Sequence, residues 1–397
     1  MKILLVCPQP EYTSDVSVGV QVRIKKLAES FSRHNQVVHL NAALGKSKII
    51  QKGDDSKFYF KQWSLGGEYL SMFTDFNPGY LLQLKKIANI EKVDLIFIIG
   101  GPYGVISARL MCPNIPVIYS SESVKYDSAY LTFETVKNNI PLFKTSIIRT
   151  FSKLLLTSYL RILERWTCKQ ASHISVLSDQ IKFRYQELYG LKSDKFTVIP
   201  GFLGSGRFRS EPRIIMDDVR HDMIRIVFHG PYSNPANADA FQLILNYIAP
   251  EVQKYNRNIV FIIAGADMPI FEKENVKSLG FIEDLADLLE NCDIAIIPMM
   301  HGEGGVKGKT RDYLAAGLAI VTTPEGITGI NVEDGKHAVI INTVDRNFIN
   351  AILDLANDEV KRRMLGINAL AFAKKNYDYN IINATVDDML KTISDNF

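Results

Sequence analysis

The chain has 397 residues, 47% of them hydrophobic and 22% charged, with a formal net charge of +3. That is ordinary globular composition, which excludes a disordered or fibrous chain, and the charge is too small to indicate a nucleic-acid partner. At ~100–200 residues per domain, the length suits two domains.

The first expected element is a strand, Lys2 to Cys7, built mainly of consecutive apolar residues. Such runs suit a parallel strand buried on both faces. The opening MKILLVCPQP is too short an apolar run for a signal peptide and breaks at Pro8. A polar loop, Pro8 to Val18, leads to Gly19, and Val22, Ile24, Leu27 and Phe31 then recur at helical spacing. Further short apolar runs predict strands at Val37 to Leu40, Leu95 to Ile99, Val117 to Tyr119, His173 to Leu177 and Phe196 to Ile199, with helical stretches between most of them. This alternation predicts a parallel sheet covered by helices on both faces.

Within this half, Val136 to Lys169 holds seven basic residues (Lys137, Lys144, Arg149, Lys153, Arg161, Arg165 and Lys169) and no acid before Glu164. Phe143, Ile147, Ile148, Phe151, Leu154, Leu155, Tyr159 and Trp166 lie between the charges. A basic amphipathic helix can lie on an anionic membrane surface. The same pattern also fits a domain helix with its apolar stripe in the core.

Residues Pro200 to Asp222, rich in Gly, Pro and charge, read as a linker. A second αβ series follows, with strands at Ile224 to Phe228, Ile259 to Ala264, Asp293 to Pro298, Leu318 to Thr322 and Ala338 to Ile341. Helices fit at Ala238 to Tyr255, Ile282 to Leu289, Lys309 to Ala316 and Arg346 to Leu355, and Gly317 reads as a helix stop. The expected organisation is an N-terminal Rossmann-like domain (1–200), a linker (201–222), a second Rossmann-like domain (223–376) and a C-terminal helix (377–397) returning to the first. The fold class is thus α/β, two doubly wound domains facing across a cleft, with ligands beyond the carboxyl ends of the strands. The cysteines Cys7, Cys112, Cys168 and Cys292 form no CxxC pair. They read as buried thiols of a reducing compartment. No stretch reaches the ~18 apolar residues of a spanning helix, so a cytoplasmic protein is expected, with peripheral membrane docking open.

The stretch IIPMMHGEGGVKGKTRDYLAAGLAIVTTPEG, Ile296 to Gly326, carries the most chemistry. A strand ends at Pro298, a loop brings Gly302, Gly304, Gly305 and Gly308, and a helix starts near Lys309. Glycines let a ligand approach backbone amides, and a helix start offers unpaired N–H groups. With Lys307 and Lys309 this reads as an anion site, diphosphate foremost; a flexible solvent loop is the plain alternative.

This stretch resembles the donor-binding signature of family 4 glycosyltransferases. The matching parts are Gly304-Gly305-Val306-Lys307, Lys309, Asp312, Ala315-Ala316-Gly317 and Thr323-Pro324. The resemblance implies the GT-B fold and retaining transfer of a sugar from a nucleotide-sugar donor. It implies that Lys309 pairs with the donor diphosphate and that Asp312, where Glu is usual, accepts from the ribose hydroxyls. The earlier acid of the family pattern falls on Gly304; Glu303, one place off, is a candidate for reaching the donor sugar. Asp312 also reads as a helix N-terminal acid favoured by the dipole. Val227-Phe228-His229-Gly230 and the Asn234 to Ala240 stretch resemble the start of the family's second domain. Gly230 would let backbone amides face the phosphates, and Lys307 would replace part of an absent Arg-Lys pair. Gly280-Phe281-Ile282-Glu283-Asp284-Leu285 resembles the turn that cups the base, placing Phe281 and Ile282 at the donor. Asn237 is either a donor ligand or a helix cap. His229 and His301 are either donor contacts or structural groups. Gly19 resembles the glycine where acceptor and donor phosphate meet, or is a turn glycine.

Glu122, in Ser120-Ser121-Glu122-Ser123, stands where relatives carry a histidine. It reads as a sugar-hydroxyl ligand or as a loop acid. No cofactor is expected, and no metal, since lysines and helix amides can neutralise a diphosphate; Asp54-Asp55 and Asp217-Asp218 read as surface acids. The acceptor is expected to be a glycan or lipid-linked hydroxyl. A sugar-nucleotide epimerase and a non-catalytic binding subunit are the competing readings. A nicotinamide dehydrogenase is disfavoured because GxGxxG is absent after the first strand.

Overall fold

In the computed structural model, residues 1–7, 19–43, 49–52, 55–61, 78–135, 146–203, 206–209, 223–302 and 305–395 are described. Glu303, Gly304, Asp54, Asp217, Asp218, Lys137, Lys144 and most of the expected linker (210–222) lie outside them. The chain divides into two compact units, Met1–Pro200 joined by the terminal Ile382–Phe397, and Gly201–Ile381 without a few loop residues.

The first unit is built on a sheet of order β3-β4-β2-β1-β5-β6-β7-β8. Its strands are β1 (Lys2–Cys7), β2 (Gln36–Ala43), β3 (Ile49–Lys52), β4 (Asp55–Lys61), β5 (Leu95–Ile99), β6 (Val117–Ser121), β7 (His173–Val176) and β8 (Phe196–Val198). Asp55, expected as a surface loop acid, opens the strand β4. All pairings are parallel except β3 with β4, where Ile49 faces Phe58. β1 is central, Ile3 facing Val37 on one side and Leu95 on the other, so its residues Ile3 to Cys7 have no exposed face. The helices are α1 (Gly19–Ser32), α2 (Pro78–Glu91), α3 (Pro102–Met111), α4 (Lys125–Thr135), α5 (Ser146–Gln170) and α6 (Asp179–Tyr189).

The second unit has a sheet of order β11-β12-β10-β9-β13-β14-β15. The strands are β9 (Ile224–His229), β10 (Ile259–Ala264), β11 (Phe271–Lys273), β12 (Val276–Ser278), β13 (Ile294–Ile297), β14 (Ala319–Thr322) and β15 (Val339–Ile340). Again one edge strand, β11, is antiparallel. The expected helix from Ala238 to Tyr255 is α7 (Pro235–Leu243), a π turn (Ile244–Ile248) and α8 (Ala249–Gln253). Pro250 explains the break: it lacks an N–H and its ring collides with the carbonyl four residues back, so the turn before it widens. The helix expected from Ile282 begins later, as α9 (Leu285–Glu290), because the Asp284 side chain accepts from the Asp287 amide at 2.9 Å and caps it. α10 (Gly308–Ala315), α11 (Arg346–Asn357) and α12 (Glu359–Tyr377) follow. Gly317, at φ 63°, ends α10, and a Cβ there would lie 3.3 Å from the Gly366 carbonyl of α12. Leu203 lies in this unit's core.

The last helix, α13 (Tyr379–Asp395), buries Ile382, Val386, Met389, Leu390 and Ile393. Its Asn383 accepts from the Ser30 hydroxyl of α1 at 2.6 Å, inside the first unit. The four cysteines are buried and none forms a disulfide. Among the described residues no helix is long and apolar enough to cross a membrane.

Candidate functional site

In the second unit the strand order reverses between β9 and β13. Loops leaving the carboxyl ends of two such strands splay apart, and that opening is where doubly wound sheets bind ligands. The residues at this point are those singled out in the sequence. β9 ends at His229-Gly230; the loop after β13 leads through Lys307 into α10. Lys307 occupies the cap position of α10 without a side-chain cap bond, so its side chain does not take up the first amides at the positive dipole end of the helix.

Lys309 is buried, in the first turn of α10. Its ammonium donates to Asn237 Oδ1 at 2.5 Å and lies 4.1 Å from the Phe228 ring centroid. Among the described residues it makes no ion pair. Burial, and secondarily the Lys307 charge, pull its pKa down to about 7. An amine held in this way is short of a negative partner.

Gly230, at φ 152°, permits this arrangement, since a Cβ there would sit 3.0 Å from Lys309 Nζ and 2.8 Å from Asn237 Nδ2. Its own amide does not face outward. It donates to the Ala264 carbonyl at 3.0 Å, extending the β9–β10 ladder. What the glycine supplies here is room for Lys309.

Asn237 is not the helix cap. Asn234 takes that role, accepting from the Ala236 and Asn237 amides, because Pro235 sets the first helical residue. Asn237 donates to the Pro231 carbonyl at 2.9 Å and turns its oxygen to Lys309. Asp312, in the second turn of α10, lies beyond the reach of a first-turn dipole role. Its buried carboxylate stands 3.8 Å from His229 Nε2, and burial, reinforced by Lys309, lowers the His229 pKa to about 3, leaving a neutral ring.

Lys307 is already engaged. It pairs with Glu325 at 2.7 Å, so it does not bring an uncommitted charge in place of the absent Arg-Lys pair. Glu325 was not visible as a site residue: it sits 18 positions away in sequence, and the turn Glu325–Ile327 is tied to α10 by the Thr310 hydroxyl, which donates to the Gly326 carbonyl at 2.6 Å. Val306 packs on the core, and Gly305 has open space around it. Phe281 is 60% exposed just past Gly280, and Ile282 is half-buried. His301 pairs with Asp239 at 2.8 Å.

In the first unit Glu122 follows β6 and lies 3.7 Å from the Arg23 guanidinium. Arg23 is 3% exposed and donates to the Ile199 carbonyl at 3.1 Å and to Ser120 Oγ at 3.3 Å. It lies four residues before Leu27, on the buried stripe of α1, so a lone cation on an apolar face was the available signal. Gly19 is the first residue of α1.

The Glu122 loop is held from the far side by Glu164 of α5. This fully buried carboxylate accepts from the Lys125 and Tyr126 amides that start α4, at 2.8 and 3.3 Å, and from the Tyr185 and Tyr189 hydroxyls, both at 2.7 Å. Burial raises its pKa while these four donors oppose the rise. Glu164→Ala should cost about 3–5 kcal/mol in urea unfolding, since it strands buried donors, whereas Glu164→Gln keeps an acceptor oxygen and should cost less. Equal losses for the two variants would show that the acceptor oxygen kept by glutamine contributes nothing, against this account of Glu164.

The chain matches two family descriptions, Glycosyltransferase Family 4 over residues 19–203 and Glycosyl transferases group 1 over residues 224–358. It belongs to the family 4 glycosyltransferases. No curated protein matches the chain significantly. Among solved structures, the glycosyltransferase is similar to a sucrose-phosphate synthase from Thermosynechococcus elongatus (13% identity, TM-score 0.71, 100% of both chains). It is also similar to Anabaena HepE in complex with UDP-glucose (14%, TM-score 0.65, 99% of this chain and 100% of that one). A third is WaaG, a glycosyltransferase involved in lipopolysaccharide biosynthesis (13%, TM-score 0.65, 98% and 99%). At such identities the likeness establishes the fold, two Rossmann-like domains of GT-B type.

Proposed function

We propose that this glycosyltransferase moves a sugar from a nucleoside-diphosphate donor to a hydroxyl of a glycan or lipid-linked acceptor, with retention at the anomeric carbon. The observation that carries the donor class is Lys309, a buried amine without an ion-pair partner among the described residues, at an uncapped helix start on the strand-order reversal. HepE holds UDP-glucose in its structure, which supports the same class here. Lys309 and the α10 amides stabilise the charge on the departing diphosphate, the main demand of a reaction through an oxocarbenium-like centre. Asp312 accepts from the ribose hydroxyls, with Phe281 and Ile282 at the base and Gly305, Val306 and Glu303 along the donor. Glu122, steadied by Arg23, binds a sugar hydroxyl. Retention and the acceptor rest on the family resemblance. The reaction requires no divalent cation, and a lipid-linked acceptor places the enzyme on the cytoplasmic face of a membrane.

The test is incubation with nucleoside-diphosphate sugars and an acceptor panel, in EDTA, followed by NMR of the new glycosidic bond. Transfer with the donor's anomeric configuration is expected. An inverted product would remove retention, metal dependence would remove the lysine-only account, and a changed nucleotide sugar formed without acceptor would identify an epimerase.

A further inference from the structure

We propose that the outward face of α5 is a docking surface for an anionic lipid bilayer. The inward face is satisfied by the fold: Leu160 and Leu163 pack with Ile106 and Ala129, and Glu164, Thr167 and Cys168 are fully buried. The opposite face is also apolar. Leu154, Leu155, Tyr159, Ile162 and Trp166 are 63%, 56%, 42%, 71% and 46% exposed. Positions 155, 159, 162 and 166 repeat at helical spacing and form one stripe. Folding alone gives no reason for a second large apolar stripe in water, and such patches mark binding surfaces.

The charges on this face choose the occupant. Arg161, Arg165 and Lys169 are exposed beside the stripe. From Lys153 to Gln170 the sole acid is Glu164, and it is buried. Aliphatic residues, a tyrosine and a tryptophan flanked by cations, with no exposed anion from Lys153 to Gln170, match the hydrocarbon boundary and phosphate layer of an anionic membrane. A second copy of the chain is a poor match, since it would oppose three cations with three cations. The surface rests on the lipid-linked form of the proposed acceptor and would bring the enzyme to that substrate.

The test uses the full chain, with Trp63 replaced by phenylalanine so that Trp166 alone reports. Co-sedimentation with phosphatidylglycerol–phosphatidylcholine vesicles is expected at low salt, fading in high salt and with pure phosphatidylcholine. Trp166 emission should shift to shorter wavelength. The triple variant Arg161→Glu, Arg165→Glu, Lys169→Glu should bind on the order of 100-fold more weakly, the combined effect of three surface cations. Ile162→Asn, which keeps every charge, should weaken binding and the shift. Wild-type protein that ignores anionic vesicles overturns the proposal and leaves the face to an acidic protein partner. Sedimentation without a Trp166 shift, or an unaffected triple variant, overturns it by placing the contact elsewhere. Nucleoside-diphosphate titration of the same preparations separates the two readings. Loss of vesicle binding with donor binding intact sinks only the docking surface; vesicle binding without any donor binding sinks the transferase reading.

Discussion

Lys309→Met should raise the dissociation constant for a nucleoside diphosphate about 10- to 150-fold, the effect of losing one charge-assisted contact worth about 1.5–3 kcal/mol. Methionine keeps an unbranched chain near the Phe228 ring and removes a buried ammonium that makes no ion pair among the described residues. The melting temperature should therefore hold or rise, since unpaired buried charge opposes folding. The pH dependence follows from the lowered pKa of about 7. In the unfolded chain a lysine titrates near ~10.4, so between these values the unfolded state binds the extra proton and native stability rises with pH. Donor binding runs the other way. A diphosphate beside Nζ favours the ammonium form, so above pH ~7 binding takes up a proton and affinity falls towards tenfold per pH unit. Calorimetric titration at pH 8 in two buffers of different ionisation enthalpy reads this uptake directly. Equal apparent enthalpies, with affinity flat from pH 7 to 9, would show that Lys309 does not meet the phosphates. The methionine variant should lose both slopes.

Ending the chain at Asp378 should abolish the cooperative melting of the first unit. The deleted α13 buries five large aliphatic side chains and joins α1 through Ser30–Asn383 and Arg33–Asp387. At about 1.5–3 kcal/mol each, the lost burial is on the order of 10 kcal/mol, comparable with the whole stability of an ordinary domain. Calorimetry should show the transition of the first unit lost or shifted far down, with new binding of a hydrophobic dye. An unchanged melting profile would show that α13 is an ornament on that unit. Asn383→Ala is the milder companion: it leaves the buried Ser30 hydroxyl without its acceptor and should cost about 1–3 kcal/mol.

Much of the architecture is written locally. Runs such as Leu95–Ile99 and Ile259–Ala264 are apolar on both faces, a pattern that a central parallel strand requires, so those strands appear where the sequence puts them. The outer strand pairs, β3 with β4 and β11 with β12, were not legible, because such outer strands carry mixed residues whose pairing is decided by the strand beside them. The glycine-rich loop, Lys309 and Asp312 could be singled out as candidates because glycines and a lysine at a helix start are the pattern of an anion site, and the family resemblance gave the two side chains their expected roles. Their partners were not. Asn237 meets Lys309 across 72 positions, Glu164 meets Lys125 across 39, and Glu325 meets Lys307 across a strand and a turn. Periodicity likewise gave α5 an apolar stripe without saying which stripe the core would take. Sequence thus determined the elements and the chemical character of the site, since these follow from local pattern. Which side chains share a charge, and which apolar face is left to water, were decided only by tertiary packing, because burial and ion pairing depend on distance in space and not along the chain.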